Sequence, residues 1–254
     1  MSFQKIEAEK LSHAVQRQIE ALILQGVLRP GARLPSERDM AEQMGVSRPS
    51  LREAIAELQA AGLLTSRAGS GIYVAEVLGS AFSPALVRLI SRHERAPHDY
   101  LDFRKDLEGL AAERAARLAS DDDLAVIGAM LRRMEQAHRN GSPEDEAALD
   151  VAFHMTIVEA GHNIIALHMM RSMYDLLREG VFYNRARMFG AAETRDALLD
   201  QHRAINAALQ ARDGAAARAA VAQHLDFVGA MLTDQARADA NAETARLRRQ
   251  HLGG

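Results

Sequence analysis

Apolar residues recur at three- and four-residue spacing along most of the chain, a period that predicts a succession of amphipathic helices. Near the N-terminus Leu11, Val15, Ile19, Leu22 and Ile23 follow it until Gly26 and the turn Arg29-Pro30-Gly31 end the helix. Ser36 with Asp39 three residues on has the form of a capping box and opens a short helix to Met44. Gly45 supplies a turn, and Ser47 caps a second helix with Leu51, Ala54, Ile55 and Leu58 on one face. Two short helices joined by a glycine turn make a helix-turn-helix. After Gly62 the period shortens: Leu63 to Arg67 and Ile72 to Val74 read as strands around Ala68-Gly69-Ser70-Gly71, a hairpin expected to form a wing.

From Pro84 onward the helical period returns and persists, predicting seven helices over 84–93, 97–118, 121–139, 143–160, 164–181, 193–211 and 213–235. The fold class is therefore mainly α: a winged helix-turn-helix over 1–78, an all-helical bundle over 79–237, and a tail over 238–254 read as a frayed helix end or disordered. With 254 residues, 48% hydrophobic, the chain is long enough for two cores. It has no cysteine, which removes disulfides, thiol catalysis and cysteine-ligated metal sites and leaves ten histidines as nitrogen ligands. Residues 1–78 hold nine basic and nine acidic side chains, so the formal −3 lies in the remainder and bulk charge names no partner. No apolar run reaches the ~18 residues of a membrane span, and the start lacks the apolar stretch of a signal peptide, so a cytoplasmic protein without a membrane partner is expected.

A helix that reads DNA presents cationic donors in its first turns while its apolar face packs on its own domain. Arg48 and Arg52 are four apart on one face, with Ser47 and Ser50 beside them at a helix N-terminus where the dipole favours phosphate. Arg38 precedes them on the shorter helix, and Arg67 and Gly69 stand on the wing. Each arginine also has an ordinary explanation, pairing with acids on its own helix: Arg52 with Glu53 or Glu57, Arg38 with Glu42. The run LPSERDMAEQMGVSRPSLREAIAELQAAGLLTSRAGSGIYV, Leu34 to Val74, resembles the winged helix-turn-helix of GntR-family transcription regulators. The resemblance implies DNA contacts by Arg38, Ser47, Arg48, Ser50 and Arg52, and a wing-tip contact by Gly69. Ala68 departs from the polar or basic residue some members place there.

In the helical region Asp150 and His154 lie one turn apart on the same helix face. His202 and His224 sit in other apolar-periodic segments. Together these four residues on three helices can converge to offer one oxygen and three nitrogens, a set suited to zinc or a related divalent metal. A histidine taken alone is more often a hydrogen-bonded core or surface residue; His13, His93, His98, His138 and His251 are read that way, and His168 is a spare. Phe103-Arg104-Lys105-Asp106-Leu107-Glu108, Asp150-Val151-Ala152-Phe153-His154 and the later His202 and His224 resemble the FCD effector domain of the FadR-type GntR subfamily. That resemblance implies metal ligation by Asp150, His154, His202 and His224; the donor set puts zinc first, with nickel or another divalent metal as the alternative. It also implies that Arg104 binds an effector carboxylate; the alternative for Arg104 is an i,i+4 pair with Glu108. Gly161-His162-Asn163 departs from the family's usual loop, and Tyr183, Asn184 and Arg185 are candidate pocket residues.

The expected function is that of a homodimeric transcription regulator, not an enzyme, binding an inverted-repeat operator under control of a small organic acid held next to the metal. Two alternatives remain at this point: a regulator answering to the metal alone, and a metal-dependent enzyme using an open coordination position.

Overall fold

The computed structural model describes residues 10–67, 69–75, 82–93, 95–140, 142–178 and 192–252. Ala68, Val181, Tyr183, Asn184 and Arg185 lie outside them, as does most of the junction between the two regions. The chain packs as two units, Met1–Gly79 and Ser80–Gly254.

In the first unit, α1 (Leu11–Leu24), α2 (Glu37–Met44) and α3 (Arg48–Ala60) are followed by β1 (Leu64–Arg67) and β2 (Gly71–Val74). Their boundaries follow local chemistry. Ser36 Oγ accepts from the Asp39 amide at the start of α2, Gly45 adopts the left-handed conformation that stops it, and Ser47 Oγ accepts from the Ser50 amide to start α3. Val15, Ile19 and Ile23 of α1 pack with Met40 of α2 and with Leu51, Ile55 and Leu58 of α3 in one core. The strands pair antiparallel with Leu64 opposite Val74, both buried beneath that core's edge. Their turn contains Gly69 at φ +68°, a backbone state that costs other residues strain.

The second unit comprises, among the described residues, α4 (Pro84–Ile90), α5 (Ala96–Leu118), α6 (Asp121–Asn140), α7 (Pro143–Ala160), α8 (Ile164–Arg178), α9 (Ala192–Gln210) and α10 (Gly214–Leu252). α5 packs on α7, α9 and α10, and α6 on α7 and α9. Small residues permit this close approach: Ala111, Ala112, Ala115 and Ala116 of α5 are all buried. From Phe153 to Val158 α7 is buried on every side, as a helix apolar all round must be. No described helix is long and apolar enough to cross a membrane.

One boundary differs substantially from the periodicity. α10 continues to Leu252, through the expected tail, although every described side chain from Thr233 onward is exposed. Alanines of high helix propensity at 236, 238, 240, 242 and 245, with the short-range pairs Asp234–Arg237 and Glu243–Arg246, favour helix where no buried face could reveal one.

Candidate functional site

The first unit presents its polar residues on the side of α2 and α3 opposite the core. Arg38, Arg48 and Arg52 are 81%, 57% and 61% exposed. Their partners differ from those that same-helix spacing suggests. Arg52 Nε donates to Glu37 Oε2 at 2.7 Å, from α3 to α2, and the same oxygen lies 4.0 Å from Arg48. Arg38 Nε reaches Asp39 at 3.5 Å rather than Glu42. Glu37 thus holds the two recognition-helix arginines side by side, a tie between elements that single-helix reasoning missed. Ser47 and Ser50 share a hydroxyl contact of 2.9 Å at the start of α3.

A groove of about 760 Å³ separates these helix ends from the wing; Arg33, Glu37, Arg38, Arg48 and Gly71 line it. Arg33 was absent from the sequence candidates. It packs so closely on Gly71 that a Cβ there would lie 3.2 Å from Arg33 Nε, and its sole signal in sequence is a basic residue next to the start of the helix-turn-helix motif. On the wing, the Arg67 guanidinium sits 4.4 Å from the Tyr73 ring centroid. The arrangement can place cations and two helix N-termini along a phosphate backbone.

The second unit gathers a different kind of site. Asp150 and His154 on α7, His202 on α9 and His224 on α10 bring one ligand atom each to within 4.8 Å of one another, and all four are at most 1% exposed. His154 Nε2 lies 3.3 Å from His224 Nε2 and 3.4 Å from His202 Nε2; His202 Nε2 lies 2.9 Å from Asp150 Oδ1. Nitrogens bound to one zinc at about 2.0–2.1 Å with tetrahedral angles stand about 3.3–3.4 Å apart. Outer partners fix the rings. His154 Nδ1 donates to Glu108 Oε2 at 2.8 Å and His224 Nδ1 to Gln201 Oε1 at 3.0 Å, so both turn Nε2 lone pairs inward. Two lone pairs facing each other at that distance repel unless a cation is shared between them. The donor set, spacing and ring orientation therefore fit a divalent transition metal.

Arg104 is fully buried on α5 and makes the i,i+4 pair: its Nε donates to Glu108 Oε1 at 2.6 Å and its Nη2 to Glu108 Oε2 at 3.3 Å. Nη2 also donates to the Tyr174 hydroxyl at 2.6 Å, which in turn donates to Glu108 Oε1 at 2.8 Å. Burial by itself raises the Glu108 carboxyl, but the charge of Arg104 and the hydrogen bonds from His154 and Arg104 outweigh it and hold the group well below the usual carboxylate range. Burial pushes the Tyr174 phenol well up, so its proton stays on the hydroxyl. Arg104 and the metal candidates thus meet through Glu108. Spacing along the helix offers Glu108 only as a partner for Arg104, and Gln201 and Tyr174 carry no motif that would single them out. His168 lies on α8, half-buried and outside the four-residue cluster. His138 pairs with Asp196 and Glu146 at the side of α6, and His13, His93, His98 and His251 are exposed.

Comparison with known proteins agrees with this division of the chain. A family described as "Bacterial regulatory proteins, gntR family" matches residues 11–74, and the FCD domain matches residues 99–227. The chain is 34% identical over 250 residues to the putative L-lactate dehydrogenase operon regulatory protein of Escherichia coli strain K12, covering 95% of this chain and 94% of that protein. It is also 34% identical over 220 residues to the Glc operon transcriptional activator of the same strain, covering 85% and 87%. Among solved structures, a Streptococcus agalactiae GntR superposes with a TM-score of 0.54 at 27% identity, over 85% of this chain and 98% of that one.

Proposed function

The chain belongs to the gntR family of bacterial regulatory proteins, with an FCD domain, and is a DNA-binding transcriptional regulator; from that premise we propose that a small organic acid, bound beside a divalent metal in the helical unit, controls its affinity for DNA. The relatives are transcriptional regulators, so the enzyme reading is set aside. Asp150, His154, His202 and His224 would hold the metal, zinc first and nickel next. The observation that carries this is the convergence of their ligand atoms within 4.8 Å in a fully buried site. When bound, the ion supplies a positive charge of low-dielectric surroundings that attracts a carboxylate.

Arg104 is the second anchor for that carboxylate. It is fully buried, so admitting an acid requires the bundle to shift its packing, and a ligand that favours one packing over another can change DNA affinity. That relatives are named for an L-lactate dehydrogenase operon and a Glc operon supports a small-acid effector. On DNA, Arg38, Ser47, Arg48, Ser50, Arg52 and Gly69 make the contacts; a homodimer in the cytoplasm reads an inverted repeat because two-fold symmetry in the protein demands it in the site. A regulator that answers to metal alone draws on one observation: Arg104 already has an internal carboxylate partner in Glu108.

Metal content, measured on untagged protein purified without chelator, tests the reading. One zinc or nickel per chain is expected, and Asp150→Ala with His202→Ala should lose it. Titrating the zinc-loaded protein with small carboxylates then separates the two readings, because only the first expects saturable binding.

A further inference from the structure

Residues 32–34 run beside β2 as a short third strand. The Leu34 amide donates to the Ile72 carbonyl and the Val74 amide to the Ala32 carbonyl, each at 2.9 Å, which pairs Arg33 with Tyr73. Side chains alternate across such a ladder. Leu34 and Val74 are buried in the core, so Arg33, Gly71 and Tyr73 share the outer face, where Arg33 is exposed. Gly71 is the diagonal neighbour of Arg33 on that face. Its missing side chain leaves room for the guanidinium: a Cβ there would stand 3.2 Å from Arg33 Nε and 3.6 Å from Nη2. Arg33 therefore forms the wing-side wall of the groove that parts the ends of α2 and α3 from the hairpin. On the opposite wall the charges cancel, Arg38 and Arg48 against Glu37 and Asp39, with Arg38 3.5 Å from Asp39 and Arg48 4.0 Å from Glu37. Among the described residues no acid pairs with Arg33, so the net positive charge of the groove is its own.

A helix in the major groove and a wing at the neighbouring minor groove stand on either side of one phosphate strand. In this unit that strand has to pass between the start of α3 and the hairpin, along the groove that Arg33 borders. We propose that Arg33 is a DNA-backbone contact, gripping that strand from the wing side and fixing the register of wing and recognition helix on the duplex. The inference rests on the DNA-facing placement of α2 and α3 proposed above. A guanidinium suits the task because its planar fork offers two parallel N–H donors to a phosphate. Such a contact positions the protein and carries no sequence information of its own.

The test is fluorescence anisotropy of the full-length protein on two labelled duplexes of about 30 base pairs, over about 50–200 mM KCl. One is an unselected random-sequence pool, the other the single sequence that wild-type protein enriches most from it. Arg33→Gln should weaken binding to both by the same factor, about tenfold. It should also reduce the slope of log affinity against log salt by about 0.9 per bound chain. The slope counts neutralised phosphates, so a merely structural role for Arg33 would leave it unmoved. Arg33→Lys keeps the charge and should keep the slope. An unchanged slope in Arg33→Gln overturns the proposal, as does a slope lost equally in Arg33→Lys. Lost discrimination between the duplexes overturns it too, by making Arg33 a base reader. Because Arg33 is exposed, Arg33→Gln should melt with the wild type; if it does not, Arg33→Met, also uncharged, takes its place in the same measurement. Arg48→Gln separates two failures. If it also leaves both affinities unchanged, DNA does not lie on these helix ends and the placement above falls with this inference; an effect of Arg48→Gln alone removes only the role of Arg33.

Discussion

The two units solve the problem of placing charge in opposite ways. In the DNA-binding unit, Arg38, Arg48 and Arg52 stay more than half exposed, so water carries most of the cost of their charge and each is held by a single weak tie. In the helical unit, Arg104, Glu108, Asp150 and three histidines are almost wholly buried, and each is tolerable only because the others are present. The first arrangement leaves charges free to meet a partner and cheap to replace. The second locks them into one network, in which removing any member exposes the rest. Substitutions should therefore act on DNA recognition without altering stability in one unit, and on stability and ligand response together in the other.

The largest effect expected of that contrast comes from Arg104→Ala, which strands Glu108 as a buried charge without its cation. It should cost about 3–5 kcal/mol in the unfolding transition of the helical unit, read by urea denaturation; a loss under 1 kcal/mol would place the pair among the replaceable charges. Next comes removal of metal from the loaded protein. Chelation should lower the melting transition of the helical unit by the equivalent of about 3–4 kcal/mol, if metal is present at 100 to 1,000 times its dissociation constant. The transition of the DNA-binding unit should not move, and a common shift of both would erase the contrast.

Arg52→Ala sharpens the other side. It should leave unfolding within about 0.5 kcal/mol of wild type, yet cost about 1–3 kcal/mol of discrimination between operator and altered sequences in a binding titration. Uniform weakening on every sequence would make Arg52 a phosphate contact instead. Ser36→Ala removes the cap on α2 and should cost about 1 kcal/mol of stability. The smallest effect is expected from truncation after Arg237, since the removed part of α10 is exposed throughout: no more than about 0.5 kcal/mol, by thermal melt.

What could be read in the sequence follows the same divide. The limits of α2 and α3 are set by Ser36, Gly45 and Ser47, whose effects reach no more than three residues, so local rules found them. Asp150 and His154 share a helix turn and were equally legible. Their meeting with His202 and His224 depends on how α7, α9 and α10 pack, which periodicity does not specify; the family resemblance supplied it. Glu108 illustrates what was lost. Its pairing with Arg104 was foreseeable from spacing, but its contacts with Tyr174 and His154 join segments far apart in sequence, and those contacts turn a surface-type ion pair into the link between Arg104 and the metal candidates. Glu37 was hidden for a similar reason, since its partner Arg52 lies on the next helix. The length of α10 escaped because an exposed helix has no apolar stripe to betray it.

On the proposed function, the buried network and the exposed arginines are energetically coupled through a bound acid. The most direct measurement is operator affinity, by fluorescence anisotropy, of zinc-loaded protein with and without a saturating carboxylate that calorimetry has shown to bind. A change of about 5- to 150-fold is expected, matched by an equal factor in acid affinity when operator is present, and it should disappear in the metal-free protein. Equal operator affinity with and without the bound acid, in protein confirmed to hold zinc, would contradict it.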